Sequence, residues 1–250
     1  MGKNTLIAWA TDTFNPWWGC VEVSPACKFC YARTFSKRVG FDLWGQSKPR
    51  RFFSEKHWLE PLKWNVEAAE SGVKRRVFCA SMADVFEDHR DLDIWREKLW
   101  RLIERTDHLI WLLLTKRPEC ALRMLPWKKC PKNVWFGVTM EDQEWLDKRL
   151  PAFKEVQADT KFVSIEPMLG EMDLSPLKDV AKWVIVGEES GHGSRPTDHD
   201  WVRKARDWCL SNGVSFFLKQ MVQDRKMVST PVFDGKVWTE VPYAGHVQVQ

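Results

Sequence analysis

Short apolar runs alternate with helix-like patterns along most of the chain, and this alternation constrains the fold more than any other feature. Six runs are apolar at successive positions, as strands buried on both faces of a parallel sheet are. They occupy residues 77–80, 109–115, 134–138, 162–165, 183–186 and 214–218. A weaker run at 6–10 is a candidate for a strand that precedes the others.

Amphipathic segments fill the gaps between these runs. Asp91 and Asp200 can each cap a helix that carries an apolar stripe, and Pro118 suits the first turn of a third helix. Another helix is indicated around 145–150, and a stop signal at 212–213 ends the last one. Strands and helices in alternation, joined by right-handed crossovers, form an α/β fold. With about six or seven parallel strands, we predict a partial (β/α) barrel; a doubly wound open sheet is the alternative.

Composition supports an ordinary globular protein. The chain has 250 residues, 44% of them apolar and 29% charged, and is long enough to bury a core without disulfides. We predict a single domain over residues 1–250, with a cysteine loop at 14–31. No stretch approaches the ~20 apolar residues of a membrane span, and residues 1–13 lack the pattern of a signal peptide. These features predict a cytoplasmic protein with no membrane partner.

Three of the seven cysteines are clustered, since Cys20, Cys27 and Cys30 lie within eleven residues. In a reducing cytoplasm such a cluster indicates a metal site before a disulfide framework. The other four are scattered singly and are expected to be small buried hydrophobic residues. These four are Cys79, Cys120, Cys130 and Cys209.

Three thiolates suit an iron–sulfur cluster with one open iron or, with a fourth ligand, a structural zinc ion. The histidines His57, His89 and His108 do not have zinc-ligand spacing, so the cluster is favoured. An open iron can chelate S-adenosyl-L-methionine (SAM), and one electron then cleaves SAM to a 5′-deoxyadenosyl radical. A structural zinc ion, or three reduced cysteines without metal, are the alternatives.

Polar residues follow each of the six predicted strands at its carboxyl end. Ligands gather at these ends in barrels and in open α/β sheets, so the residues predict a site. A network of salt bridges along the rim is the alternative. The residues are Ser81, Asp84, Thr115, Lys116, Arg117, Thr139, Glu141, Asp142, Glu166, Glu188, Glu189, Lys219 and Gln220.

Basic runs with aromatic neighbours favour a nucleic-acid partner. The net charge is only +4, but phosphate contacts and base stacking act together where the two residue types interleave. Arg50 and Arg51 are the predicted phosphate contacts, and solvated surface is the alternative. A base in duplex DNA would have to be flipped out or single-stranded to reach a barrel interior. The basic segments are 48–51, 74–76, 128–129 and Arg33, Lys37 and Arg38; the aromatic residues are Phe41, Trp44, Phe52, Phe53 and Trp58.

The cysteine loop resembles that of radical SAM enzymes, with Phe29 as the aromatic residue before the last cysteine and six residues, rather than three, in the first gap. The chain more closely resembles a phage-associated three-cysteine family with radical SAM character and, more distantly, spore photoproduct lyase. The matching segments are 14–16, 19–20, 23–25, 27–32, 81–84, 114–118, 137–139, 164–167, 187–191 and 219–220.

The resemblance implies a 4Fe–4S cluster on Cys20, Cys27 and Cys30. It also implies SAM contacts from residues at the strand ends, namely Ser81, Asp84, Thr139, Glu141 and Glu166. Lys116, Glu189 and Lys219 are the candidates for substrate orientation or proton transfer.

The same resemblance implies an isomerase or lyase that modifies thymine in phage DNA. It further implies an electron donor such as flavodoxin or ferredoxin, and the host cytoplasm as location. A radical SAM enzyme of a free nucleotide or small molecule is one alternative. A zinc-stabilised nucleic-acid-binding module without catalysis is the other.

Overall fold

The computed structural model describes residues 2–191 and 193–242; residues 1, 192 and 243–250 of the predicted domain lie outside this part. The described residues form strands and helices in alternation. The strands are β1 (Asp12–Thr13), β2 (Trp17–Trp18), β3 (Arg51–Phe52), β4 (Arg75–Cys79), β5 (Leu109–Thr115), β6 (Val134–Thr139), β7 (Thr160–Ile165), β8 (Trp183–Gly187), β9 (Ser215–Gln223), β10 (Lys226–Ser229), β11 (Val232–Phe233) and β12 (Lys236–Val237). The α-helices are α1 (Tyr31–Arg38), α2 (Glu55–Trp58), α3 (Glu60–Ser71), α4 (Asp93–Glu104), α5 (Pro118–Met124), α6 (Gln143–Glu155) and α7 (His199–Ser211).

Eight strands form one curled sheet in the order β1-β4-β5-β6-β7-β8-β9-β10. Neighbours from β1 to β9 are parallel, and β10 returns antiparallel along the edge of β9. The predicted partial (β/α) barrel is therefore confirmed, with seven parallel strands. The hairpin of β9 and β10 was not part of the prediction. None of the helices in the described segments is long and apolar enough to cross a membrane.

The two faces of the sheet bury different sets of residues. On the outer face, strand residues such as Val77, Leu113 and Val163 pack under the helices in one large core. On the inner face the alternate residues form a second cluster, which contains no helix residue among the described positions. Five strands contribute aromatic rings to it: Phe78, Trp135, Phe162, Trp183 and Phe217.

This inner layer closes the base of the half-barrel. The rings of Phe162 and Trp183 lie 5.6 Å apart, and those of Trp135 and Trp183 6.0 Å apart. Gly137 makes room for this packing, because a Cβ atom there would lie 2.2 Å from the Phe162 ring. Above the aromatic layer, the same inward positions become polar toward the carboxyl ends of the strands, as at Thr139 and Ser164.

The prediction of a strand at 6–10 is wrong. The first strand of the sheet is β1, which pairs with β4 through Asp12 and Val77. Residues 6–10 instead make a turn, in which Ala10 N donates to Ile7 O at 3.0 Å. The Trp9 indole, 4.5 Å from Phe78, fills the concave side of the sheet. An apolar run can add a strand to the sheet or fill the concave side of the half-barrel. The periodicity of the run does not distinguish these two outcomes.

Four cysteines outside the loop behave as predicted, since each is buried in the core under the helices. Burial raises the pKa of the Cys130 thiol to about 11, and it raises the pKa of Cys79 and Cys209 further. The four are Cys79, Cys120, Cys130 and Cys209.

Candidate active site at the mouth of the half-barrel

A cavity of about 440 Å³ opens at the carboxyl ends of β4 to β9. The three clustered cysteines form part of its wall, and the ends of the central strands form the rest. Its apolar lining includes Phe78 and Trp9 of the aromatic layer together with Ile7. The strand-end residues in the wall are Ser81, Asp84, Thr115, Lys116, Arg117, Thr139, Ser164, Glu166, Lys219 and Gln220. The predicted convergence of strand ends and cysteine loop on one site is therefore present in the structure.

The cysteine loop is anchored to the end of β4. Gly19 N donates to Met82 O at 3.0 Å, and the Tyr31 hydroxyl donates to Ser81 O at 2.7 Å. Gly19 has φ +117°, and a Cβ atom there would lie 2.7 Å from Leu43 O, so the close approach requires glycine. A short 3-10 turn at Pro25–Cys27 and the start of α1 then place Cys27 and Cys30 on the same wall.

All three cysteines of the loop are free thiols and partly exposed. Burial raises the pKa of Cys20 to about 12, with Arg117 opposing the shift, and it also raises the pKa of Cys30. Among the described residues, no three Cys, His, Asp or Glu side chains lie close enough to hold one metal ion. A cuboidal cluster binds each thiolate to a different iron, so its ligands need not converge on a point. Three free thiols on one cavity wall suit such a cluster.

Asp84 and Arg117 form a buried ion pair behind Cys20. Arg117 Nη1 lies 2.8 Å from Asp84 Oδ2, and both side chains are 8% exposed. The Asp84 carboxylate also accepts from the Thr115 hydroxyl at 2.8 Å and from Lys116 N at 3.1 Å. Burial opposes the charge, but Arg117 and these donors lower the pKa of Asp84. Asp84 was predicted to contact SAM; it lines the cavity, but its carboxylate is engaged by the protein.

Glu166 and Lys219 form an ion pair in the wall of the cavity, with 2.7 Å between Oε2 and Nζ. Ser164 Oγ donates to Glu166 Oε1 at 3.2 Å. Oε2 is the carboxylate atom that faces Lys219 Nζ, and this pair is held by opposite charge rather than by an aligned hydrogen bond. Lys116 Nζ lies 3.5 Å from Thr139 Oγ1 and has no carboxylate partner among the described residues. Lys116 therefore offers its ammonium group to the cavity, whereas that of Lys219 is paired with Glu166.

Two predicted site residues do not reach the cavity. Glu141 is fully buried beside Arg149, with 2.6 Å between Oε2 and Nη1. Glu189 is buried and accepts from Arg195 Nε at 2.8 Å, while Arg195 Nη2 donates to Pro25 O at 3.0 Å. Each carboxylate is paired with an arginine close to it in the sequence. The expectation that Glu141 and Glu189 face a ligand is therefore wrong.

Sequence reasoning missed the roles of two residues. Arg117 was noted only as a polar residue at a strand end, yet it reaches both Cys20 and the carbonyl of Val21. Tyr31 was noted only within a matching segment, yet it lines the cavity. Its position directly after Cys30, at the start of α1, was the available signal. No pattern in the sequence indicates that Arg117 folds back on the loop.

Several cations of the basic segments are paired with carboxylates of the same chain. Arg50, with a side chain 1% exposed, is paired with Glu87, and its Nη1 donates to Lys48 O at 2.6 Å. Arg75 pairs with Asp12 at 2.6 Å and Lys129 with Asp159 at 2.6 Å. The prediction that Arg50 contacts DNA phosphates is wrong, because a guanidinium enclosed by carbonyls and a carboxylate cannot reach an external anion.

Arg51 has a different environment. Its guanidinium lies 4.7 Å from the Trp18 ring, 4.2 Å from Phe41 and 5.3 Å from Phe53. These residues are partly exposed and lie close along the chain to the cysteine loop. A cation held among aromatic rings is a surface on which a base could stack.

Comparison with solved structures shows the class of fold. A point mutant of spore photoproduct lyase is similar with a TM-score of 0.55 and 12% identity, over 85% of this chain and 77% of that chain. Spore photoproduct lyase complexed with dinucleoside spore photoproduct is similar with a TM-score of 0.50 and 15% identity, over 72% of this chain. The chain spans 56% of the length of that second protein. The half-barrel is therefore of the spore photoproduct lyase type.

The sequence itself matches one family. Residues 4–242 match the family described as protein of unknown function (DUF5131), and the chain belongs to it. No curated protein matches the sequence.

Proposed function

We propose that the protein is a radical SAM enzyme that modifies a nucleobase in DNA. The observation that carries the proposal is the arrangement of the three free thiols of the loop on one wall of a cavity at the mouth of a half-barrel. Ligands of α/β barrels bind at these strand ends. Cys20, Cys27 and Cys30 would hold a 4Fe–4S cluster, which when bound would supply one electron for the reductive cleavage of SAM.

The chain's own residues enclose and orient the reactants. The aromatic base and Trp9 exclude water from below, and the cysteine loop limits access from above. Radical chemistry requires such enclosure, because a reactive carbon-centred species is quenched by any nearby hydrogen donor. Thr139, Ser164 and the strand end at Ser81 offer short polar contacts that could hold a ribose or a methionine without adding flexible groups.

Glu166 and Lys219 suit the grip of a zwitterion. An α-amino acid that inserts between the two side chains can place its carboxylate on Lys219 and its ammonium on Glu166 Oε2, which would replace the ion pair that they form with each other. The methionine part of SAM and an amino acid attached to a thymine are both groups of this kind. Lys116, which has no carboxylate partner in the described segments, would hold a second anionic group.

Two observations support a nucleic-acid substrate. One solved protein with this fold is complexed with a dinucleoside photoproduct. In this chain, Arg51 and its rings form a stacking surface close along the chain to the cysteine loop. The substrate base would be flipped out or single-stranded, because a duplex base cannot reach the cavity. We propose an isomerase or lyase reaction on an amino-acid substituent of phage thymine, with flavodoxin or ferredoxin as donor, in the host cytoplasm.

A free nucleotide is the second candidate, and one observation favours it. Arg50, Arg75 and Lys129, which lie in three different basic segments, are paired with carboxylates of the same chain. Fewer cations are therefore available for phosphate contacts than the sequence indicates. A cavity of about 440 Å³ also lies in the usual range for small-molecule sites.

Metal analysis after anaerobic purification tests the cluster. Wild-type protein should contain iron and acid-labile sulfide and show an EPR signal, on reduction, that changes when SAM is added. Replacement of Cys20, Cys27 and Cys30 by Ala should abolish both. The matched triple replacement at Cys79, Cys120 and Cys209 removes the same number of thiols and should leave iron content unchanged in the folded fraction. Stoichiometric zinc, with no iron after reconstitution, would contradict the proposal.

Product analysis tests the substrate. Reduced enzyme and SAM are incubated with single-stranded DNA that carries a glycine-substituted thymine, and the digested nucleosides are analysed by chromatography and mass spectrometry. We expect a product that requires Lys116, Glu166 and Lys219, whereas uncoupled release of 5′-deoxyadenosine should persist in the lysine variants. Untouched DNA, with 5′-deoxyadenosine release stimulated by a free nucleotide, would favour the second candidate.

A further inference from the structure

The three cysteines of the loop have unequal surroundings. Arg117 Nη1 donates to Cys20 Sγ at 3.8 Å, within reach of a hydrogen bond to sulfur. Cys30 lies at the N-terminus of α1, where the backbone N–H groups of Arg33 and Ala32 oppose the burial that raises its pKa. Cys20 is therefore the cysteine of the loop that a buried, charged side chain contacts.

The position of Arg117 is fixed by several independent contacts. Its Nη2 donates to Val21 O at 2.7 Å, and its Nη1 pairs with Asp84. Its backbone N–H donates to Thr115 Oγ1 at 2.8 Å, and that hydroxyl in turn donates to Asp84. A guanidinium already held by a carbonyl and a carboxylate loses little further entropy when it donates to a thiolate.

We propose that Arg117, positioned by Asp84, sets the reduction potential of the cluster through its contact with Cys20. The inference rests on the proposed function, because it concerns a cluster bound by the three cysteines. Reduction adds negative charge to the cluster. A cation and a hydrogen bond on a ligand sulfur stabilise that reduced state and raise the potential. Asp84 opposes Arg117 at Cys20, but Arg117 has the larger influence and contacts the sulfur, and few waters screen this buried contact.

The proposal assigns Asp84 a positioning role, which differs from the predicted contact with SAM. The carboxylate already accepts from Thr115, Lys116 and Arg117, as described above. Loss of Asp84 should therefore act on the cluster by releasing Arg117. A residue that merely stabilises the fold would leave the potential of the folded protein unchanged.

The test is the midpoint potential of reconstituted protein, measured by an EPR-monitored redox titration without SAM. The double variant Asp84→Asn/Arg117→Met removes both buried charges and so avoids an unpaired ion. We expect a shift to more negative potential by about tenfold in the one-electron equilibrium constant, which is about 59 mV. Arg117→Lys keeps a cation but loses the planar fork, and it should shift the potential in the same direction by less.

The matched control is Glu141→Gln/Arg149→Met, which removes another buried ion pair, one that does not line the cavity. It should leave the potential at the wild-type value. Wild-type potential in the Asp84/Arg117 double variant, at equal iron content, would overturn the inference. Absence of iron from the wild-type protein would instead defeat the proposed function, so the two failures are distinguishable.

Discussion

Two carboxylate–arginine pairs support the cysteine loop from opposite sides, and they differ in what the arginine contacts. Behind Cys20, Arg117 reaches a thiol, and its side chain and that of Asp84 are both 8% exposed. Near Cys27, Arg195 reaches the Pro25 carbonyl and lies 5.5 Å from the Phe29 ring. Its side chain is 30% exposed, while that of its partner Glu189 is 5% exposed.

This difference in contacts shows that a carboxylate–arginine pair can act on a site in two ways. The buried pair places a charge on a candidate ligand, so it can influence the chemistry at that sulfur. The half-exposed pair holds only backbone and a ring, so it can influence only where the loop lies. Both Asp84 and Glu189 were predicted to contact ligand, and both instead position an arginine that the prediction did not use.

The largest expected difference between the pairs is in stability. Arg117→Met leaves the Asp84 carboxylate buried without its cation, which should cost about 3–5 kcal/mol. Arg195→Met should cost less, about 1 kcal/mol, because water can reach the place of the 30% exposed guanidinium and because Arg195 N still donates to the buried Glu189 carboxylate at 2.9 Å. Urea unfolding, followed by tryptophan fluorescence, measures both. Equal losses would contradict the contrast between a buried and a half-exposed pair.

The same contrast should appear in the pH dependence of stability. Burial raises the pKa of Asp84, but Arg117 and the neighbouring donors lower it further. The ionised carboxylate therefore stabilises the folded state, and this stabilisation is fully present above the unfolded pKa of about 3.9. It is lost as pH falls through the lower folded value. Asp84→Asn should therefore be much less stable than wild type at pH 7, and the gap should narrow below about pH 4.

Glu189 provides the internal comparison, because Arg195 lowers its pKa in the same direction despite burial. Its replacement by Gln should give a pH-dependent gap of the same sign but smaller size, since the pair is partly screened by water. Unfolding midpoints in urea between pH 3 and pH 7 measure both variants. A gap for Asp84→Asn that stays constant over this range would show that its carboxylate is not the source of the stabilisation.

The fold was largely predictable, because its signal is repeated. Each of the strands β4 to β9 contains a run of apolar residues. The strand β5 begins and ends at the predicted residues, 109 and 115. The parallel order then follows from the helices between the strands. The plug at residues 6–10 was not predictable, since whether Trp9 extends the sheet or fills its concave side depends on the curvature of the whole barrel. Periodicity indicates that a residue is buried, but it does not indicate which residues it packs against.

The candidate site was predictable at the level of which elements meet, but less so at the level of partners. Strand order brings Lys116, Glu166 and Lys219 to one cavity, as the strand-end rule requires. Whether a carboxylate at a strand end faces a ligand or an arginine depends on how the loops and helices around it fold. Glu141 pairs with Arg149, and the buried Arg50 pairs with Glu87, 37 positions along the chain. Composition and spacing carry no record of such pairings.

The smallest expected effect concerns the accessibility of the thiols and completes the comparison. Arg195→Met removes the contact with Pro25 O, so the segment that carries Cys27 should open more often. A loss of about 1 kcal/mol corresponds to roughly a fivefold higher population of open forms. In protein purified without iron, alkylation of Cys27 by iodoacetamide, followed by peptide mass spectrometry, should accelerate by about that factor, while Cys20 should react at the wild-type rate.

Arg195→Lys, which keeps a donor near Pro25, should restore most of the protection of Cys27. Arg117→Lys should show the reverse pattern, with Cys20 more affected than Cys27, because Arg117 contacts Cys20 and Val21 O. Equal acceleration at both cysteines in either variant would mean that the loop opens as one unit. In that case the two pairs would not divide the support of the loop between them, and a change in potential on loss of Arg117 would have to be explained by movement of the whole loop.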